Sequence, residues 1–378
     1  MKSISWHEAC HRRLTRNYLL APAASGQLVD VVSEVGGIQA QVITAAELDV
    51  GVRVADVTQE QVRTEIWQRR NLVKTYGPRE TLHLLPAVEL PMWMAAMRAR
   101  AALHETHPYA SAGLNSAQSK AVLIAIGEAL DGRALSREEL AFEVGRRAGD
   151  WAKELMASTW GSFLRPAAYA GLLCFGPSQG SRVTFVRADQ WVGNWQEIEP
   201  AQALADVCRR YFAAYGPATH TDFGHWFALK PGEARQVMDS LGDELAEVKL
   251  ENRRAWVLAA DAKDFSEHSQ ESLRLLPQYD CYIIGSPQRE RVVPATTKAH
   301  VLTYKRGRYE GATGLPVLLI DGVVAGLWER RQRGKRGELK VEAFAPLTAS
   351  QREQLEAEVA RIGRFLGSEA TLSLGTLD

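Results

Sequence analysis

The stretch that most constrains this chain is LVKTYGPRETLHLLP, residues 72–86, together with the order of the segments around it. Its apolar and polar residues partly alternate on either side of Gly77-Pro78, which predicts a short β-ribbon, because successive strand residues face opposite ways. Upstream, residues 5–20 and 26–35 carry apolar side chains at helical spacing, and 58–70 opens with Thr58 as an N-cap and Gln61 three residues later. Downstream, Pro86 opens a helix to about residue 105. Three helices and then a ribbon is the order of a winged helix.

The pattern returns. Helices near 116–130 and 136–148 precede LLCFGPSQGSRVTFV, 172–186, two apolar runs around a turn. Helix 200–214 leads to 221–241, where Pro231 marks a helix start, and then to the alternating strand AWVLAA, 255–260. From about 273 the texture turns to β, with candidate strands CYIIG, AHVLTYK, LPVLLIDG, VVAGLWERR and ELKVEAFAP. Asp321-Gly322 is a hairpin turn signal, and a helix at 349–366 closes the chain before a short strand-like tail. The expected fold class is α+β, with tandem winged-helix domains at 1–110, 111–198 and 199–265 and a C-terminal β-rich region at 266–378.

Overall charge gives no support to a nucleic-acid partner, since Lys+Arg and Asp+Glu both number 45, so any such case rests on local charge. Cys10, Cys174, Cys208 and Cys281 form no CxxC pair, which predicts neither a zinc knuckle nor a disulfide framework. The N-terminus has no apolar signal core, and no stretch reaches the roughly 18 to 20 apolar residues of a membrane span. A cytoplasmic protein without membrane contact, metal or cofactor is expected.

Two motifs match catalytic patterns by composition only. His7-Glu8-Ala9-Cys10-His11 fits HExxH, where histidines four apart on a helix can hold zinc. Arg12 and Arg13 follow directly, where a metalloprotease prefers apolar residues, and no strand precedes to build a cleft; a solvated helix face is expected. Gly176-Pro177-Ser178-Gln179-Gly180 fits GxSxG, but a nucleophile elbow needs a helix after the serine, and SRVTFV alternates like a strand. His220 and His225 are five apart, poor spacing for a shared metal on a helix.

Residues 35–44 read VGGIQAQVIT. In an extended chain Gln39 and Gln41 face one side, while Ile38, Ala40 and Val42 face the other, toward the core. Gly36-Gly37 ends the preceding helix and frees the backbone to turn. Two amides are then presented together. Paired glutamines that merely satisfy backbone groups are also common.

GGIQAQ, LVKTYGPRETLHLLP, GLLCFGPSQGSRVTF, YFAAYGPATHTDF, LRLLPQYDCYIIG and GLPVLLIDGVVAGLW, in this order and spacing, resemble the AlkZ-like DNA glycosylase family over nearly the whole chain. The resemblance implies tandem winged-helix domains, a β-rich C-terminal part, and a monofunctional glycosylase releasing N7-alkylated purines, including bulky adducts and cross-links, from double-stranded DNA. It implies a catalytic pair at Gln39 and Gln41, in the Gln-x-Gln form that resembles the antibiotic self-resistance branch rather than the Gln-x-Asp form. A basic hairpin engaging DNA is also implied. Its best match is in ERRQRGKRGELK, at Arg330, Arg331, Arg333, Lys335 and Arg336, with a second basic tip at Lys305, Arg306 and Arg308. Arg79, Thr81 and His83 alternate on the 72–86 ribbon and could line a lesion pocket, with His83 near a phosphate or base. The chain is expected to act as a monomer. The competing reading is a non-catalytic winged-helix transcriptional regulator, which would have no need of Gln39 and Gln41 at its DNA surface.

Overall fold

The computed structural model describes residues 2–158, 161–265, 271–297, 300, 314–333 and 336–377. The chain divides into two compact units. One gathers Met1–Arg63, Arg209–Trp226 and Lys230–Asp378; the other holds Thr64–Cys208 and Phe227–Leu229.

The first unit begins with β1 (Lys2–Ile4) and α1 (Trp6–Arg16). Ser5 caps α1: its hydroxyl accepts from the Glu8 amide at 3.1 Å, and the Glu8 carboxylate accepts from the Ser5 amide at 2.7 Å. This reciprocal box employs the glutamate of the HExxH match. The helix is not the wholly solvated face its charge suggests. His7 is exposed, but Arg12 and Arg13 are buried. A buried guanidinium is tolerable only when its N–H groups are answered. Arg13 donates to the carbonyls of Tyr215 at 3.0 Å and Pro217 at 2.7 Å, and Arg12 to that of Gly216 at 2.9 Å and to Asp261. After α2 (Leu28–Glu34) come β2 (Ile38–Gln39), α3 (Ile43–Arg53) and α4 (Gln59–Arg63). Thr58 and Gln61 cap α4 reciprocally, with amide-to-side-chain bonds of 2.8 and 3.3 Å.

In the second unit, β3 (Leu72–Tyr76) and β4 (Leu82–Pro86) form an antiparallel ribbon, Leu72 opposite Pro86 and Tyr76 opposite Leu82. The chain continues through α5 (Leu90–Ala102), α6 (Ser116–Ala129), β5 (Leu135–Ser136), α7 (Arg137–Ala148), α8 (Asp150–Ser158) and α9 (Arg165–Tyr169). Next are β6 (Cys174–Gln179), β7 (Arg182–Val186) and α10 (Ala188–Val192). The sheet order is β5-β7-β6, and Phe175 meets Phe185 across it with ring centroids 5.1 Å apart. Ser178 lies on the exposed end of β6, and a strand, not a helix, follows it.

Helix α11 (Pro200–Tyr215) leads to α12 (His220–Phe227) and α13 (Pro231–Asp239), then β8 (Leu245–Leu250) and β9 (Arg253–Leu258). Strand β1 pairs with β8 in parallel, Lys2 opposite Val248, and β8 with β9 antiparallel. Ile4, Val248, Leu250, Ala255 and Val257 form the core beneath this sheet.

The last part holds β10 (Leu273–Leu276), α14 (Cys281–Gly285), α15 (Arg289–Val292), β11 (Val317–Ile320), β12 (Val323–Arg333), β13 (Arg336–Ala343), α16 (Ala349–Phe365) and β14 (Ala370–Leu374). These strands make one sheet in the order β10-β11-β12-β13-β14, antiparallel except for β13 with β14. Asp321 and Gly322 turn β11 into β12 with φ of 48° and 78°. Gly322 has no substitute here, because a Cβ would stand 2.2 Å from the Cys10 sulfur. CYIIG is a helix, not the expected strand. Asp280 caps it, accepting from the amides of Tyr282 at 2.8 Å and Ile283 at 3.4 Å, and such a cap decides a short apolar run whose periodicity is ambiguous. Most of the candidate strand AHVLTYK lies outside the described residues. Among the described residues, no helix is long and apolar enough to cross a membrane.

Candidate active site

Helix α2 ends in two left-handed residues, Gly36 (φ 77°) and Gly37 (φ 89°), a conformation glycine adopts without steric cost. Their amides donate to the carbonyls of Ser33 at 3.0 Å and Val32 at 2.9 Å. At Gly36 a side chain would also meet Trp226, whose ring stands 3.1 Å from where a Cβ would lie. The chain leaves this joint as β2. Ile38 and Ala40 are fully buried, Gln39 is 7% exposed, and Gln41 is exposed. The extended run is shorter than the sequence pattern suggests: the backbone bends at Gln41, and half-buried Val42 caps α3 instead of joining Ile38 and Ala40 in the core. The result is one amide held against the protein interior and a second, two residues on, facing solvent.

Helix α3, which carries the motif forward, is anchored at its far end by charge. Arg53 donates to both carboxylate oxygens of Asp280, at 2.9 and 3.2 Å, and to Asp49 one turn earlier. All three are buried. Burial pushes the Asp49 carboxyl well above its usual range. Burial alone would lower Arg53, but the Asp280 and Asp49 carboxylates together hold its guanidinium well above its ordinary value. Asp49, Asp280 and Cys281 are the one group of metal-ligating atoms brought together among the described residues. Arg53 already engages both carboxylates, so the donor set is occupied by a cation the chain supplies itself.

The ribbon residues separate. Only His83 lies on β4; Arg79 (φ 56°) and Thr81 belong to the turn, where the Thr81 hydroxyl donates to the Pro78 carbonyl at 3.1 Å. The His83 ring is 2% exposed and packs against Gly77. Burial, with Arg79 nearby, pushes its pKa down to about 3, so the ring is uncharged at neutral pH and offers no charge to a phosphate. Glu80, between the nominated residues, accepts from Arg100 at 2.8 Å and pairs with Arg165.

The basic hairpin is present. Strands β12 and β13 pair without interruption from Gly326–Ala343 to Arg333–Arg336, which places the arginine-rich segment at the end of the longest ladder in the described chain. Arg330 is exposed, and Arg331 pairs with Glu329 at 2.5 Å. The side chains of Arg333 and Arg336, the whole of Lys335, and the second tip at Lys305, Arg306 and Arg308 lie outside the described residues. Sequence reading did not single out Trp226 or the Asp49–Arg53–Asp280 cluster. Only the aromatic density of YFAAYG and GHWF hinted at the former, and no spacing rule links Arg53 to Asp280.

Residues 32–365 match the family described as "DNA glycosylase AlkZ-like". An interstrand DNA cross-link repair glycosylase from Streptomyces sahachiroi is 32% identical over 374 residues, covering 96% of this chain and 97% of that protein. The solved structure of the Streptomyces sahachiroi DNA glycosylase AlkZ superposes with a TM-score of 0.84 at 31% identity, over 99% of this chain and 100% of that one. A mixed α+β fold with this element order, a glutamine pair on a glycine joint and a family match across nine-tenths of the chain converge: the protein belongs to the AlkZ-like DNA glycosylases.

Proposed function

We propose that this DNA glycosylase hydrolyses the N-glycosidic bond of N7-alkylated purines in double-stranded DNA and leaves an abasic site, with Gln39 and Gln41 as its catalytic pair. Bulky adducts and interstrand cross-links fall within this substrate class, in keeping with the printed name of the Streptomyces relative. The observation that carries the reading is the Gly-Gly joint delivering one buried and one exposed amide. Alkylation at N7 makes the purine cationic, so the base departs without being protonated. What remains is to orient a water and to stabilise positive charge developing on the sugar. Amide oxygens accept hydrogen bonds from such a water, though they do not titrate near neutral pH and cannot serve as strong bases. With no lysine marked out for a Schiff base, simple hydrolysis is the natural chemistry.

The DNA-binding frame is read as three winged-helix modules. Helix, short strand, helix, helix and hairpin follow one another as α2-β2-α3-α4-β3-β4 and as α6-β5-α7-α8-β6-β7. A third run is α11, the Ala218–Trp256 bridge, α12, α13, β8 and β9. The boundaries proposed are 1–110, 111–198 and 199–265, with the β-rich region at 266–378 carrying the basic hairpin. Arg330 on that hairpin is read as a phosphate contact. Arg330→Glu should weaken duplex binding and make the plot of log affinity against log salt shallower by about 1, since each phosphate contact releases roughly one counterion. Fluorescence anisotropy titrations at several salt concentrations measure both. An unchanged slope would move the contact elsewhere.

The test of the chemistry is single-turnover cleavage of duplex DNA carrying either N7-methylguanine or uracil at one site, with alkali revealing abasic positions. Release of the cationic purine with uracil slower by about 10²–10⁴-fold, the usual worth of protonating a leaving group, is expected. Efficient uracil release would sink the proposal.

A further inference from the structure

The Gly36-Gly37 joint has two consecutive residues with unusual conformational freedom, yet the reaction needs Gln39 held within a fraction of an ångström. Something other than the joint itself must fix it. Three side chains from the α11–α12 region reach the last residues of α2 in succession. Arg210 donates to the Ser33 hydroxyl at 2.7 Å. The Tyr215 hydroxyl, fully buried, donates to the Val35 carbonyl at 2.9 Å and shares that proton with the Cys281 carbonyl at 3.2 Å. Trp226 closes against Gly36, and its ring lies 6.2 Å from that of Tyr215. Tyr215 is itself immobilised, because Gly285 approaches so closely that a Cβ there would stand 2.3 Å from its ring.

We infer that Tyr215 is a positioning residue for base excision: its hydroxyl, with Trp226 and Arg210 beside it, fixes the exit angle of the Gly-Gly joint and so the placement of Gln39. This rests on the proposed catalytic role of Gln39. The hydroxyl touches no reacting atom. It joins Val35, four residues before Gln39, to the Cys281 carbonyl at the start of α14, whose capping residue Asp280 is locked to Arg53. The motif is thus tied at both ends to one rigid element, through Val35 in front and through α3 behind.

The test is a double-mutant cycle in the full chain. Tyr215→Phe deletes the hydroxyl and keeps the ring. Single-turnover excision of N7-methylguanine should slow by about 10- to 100-fold, the scale expected for a small misplacement of a catalytic group, while duplex affinity stays within about twofold. Added to Gln39→Ala, the same change should cost less than about twofold more, because a residue acting only through Gln39 has nothing left to position. Equal slowing in both backgrounds, or none in the wild type, overturns the inference. A wild-type rate for Gln39→Ala alone would instead overturn the catalytic reading on which it rests. Should Tyr215→Phe unfold, Ser33→Ala removes the 2.7 Å bond from Arg210 to the Ser33 hydroxyl and leaves only its longer bond, 3.4 Å, to the Ser33 carbonyl. It is expected to slow excision several-fold only when Gln39 is present, and an undiminished rate counts against the cradle.

Discussion

Replacing Gln39 and Gln41 together with alanine should lower abasic-site formation at N7-alkylpurines by about 10²–10³-fold, the cost typical of losing one preorganised hydrogen-bonding group at a transition state. Duplex affinity should be nearly unchanged, because neither amide carries charge and phosphate contacts dominate binding. The single variants should differ. Gln39 is held at the surface of the core and Gln41 faces solvent, so Gln39→Ala should also lower stability slightly, whereas Gln41→Ala should leave the unfolding transition in place. The wild-type rate should be nearly flat between about pH 6 and pH 8, since amides do not titrate there, and His83, nominated beside the pair, is already neutral. Single-turnover time courses across pH check both. A steep acid or alkaline limb would place a titrating base at the reaction that the glutamine mechanism does not contain.

The second large effect concerns stability. Asp280→Ala should destabilise the first unit by about 3–5 kcal/mol, the usual cost of breaking a buried ion pair from one side. Two losses combine. Arg53 keeps a buried charge with only Asp49 to answer it, and α14 loses the cap that satisfies the Tyr282 and Ile283 amides. Asp280→Asn separates them, because an amide oxygen can still cap the helix but cannot balance the guanidinium. It is expected to fall between wild type and alanine. Thermal or urea unfolding of the three proteins gives the order, and equal stability of Asn and wild type would assign the site's worth to the cap alone.

What was legible in the sequence was local. The ribbons at 72–86 and 172–186 announce themselves by alternation around glycine and proline, and Asp321-Gly322 by its turn chemistry. The Gly-Gly end of α2 was legible for the same reason, whereas the bend at Gln41 that leaves one glutamine buried and the other exposed was not. CYIIG was not, because an apolar pentapeptide fits strand and helix equally, and the decision falls to Asp280, whose carboxylate also answers a residue more than two hundred positions away. The burial of Arg12 and Arg13 was equally hidden. It depends on the carbonyls of residues 215–217, which no pattern near α1 reveals. The strand β1 is three residues long and finds its partner at Val248–Leu250. Alternation within such a segment carries too little signal to name a parallel mate so far along the chain.

The discontinuity of the first unit sets a timetable for the newborn chain. Residues 64–208 make up nearly all of one compact unit, with partners close by in the chain, and domains generally fold as units during synthesis. The opening 63 residues cannot do so alone. Strand β1 waits for β8, α1 for the turn after α11, and Arg53 for Asp280, which is synthesised 227 residues later. The glutamine segment is therefore made well before the residues that hold it in place. A chain released before about residue 280 would carry the glutamine segment with Arg210, Tyr215 and Trp226 beside it, but without Asp280 and Cys281, the partners that lock Arg53 and Tyr215 in place.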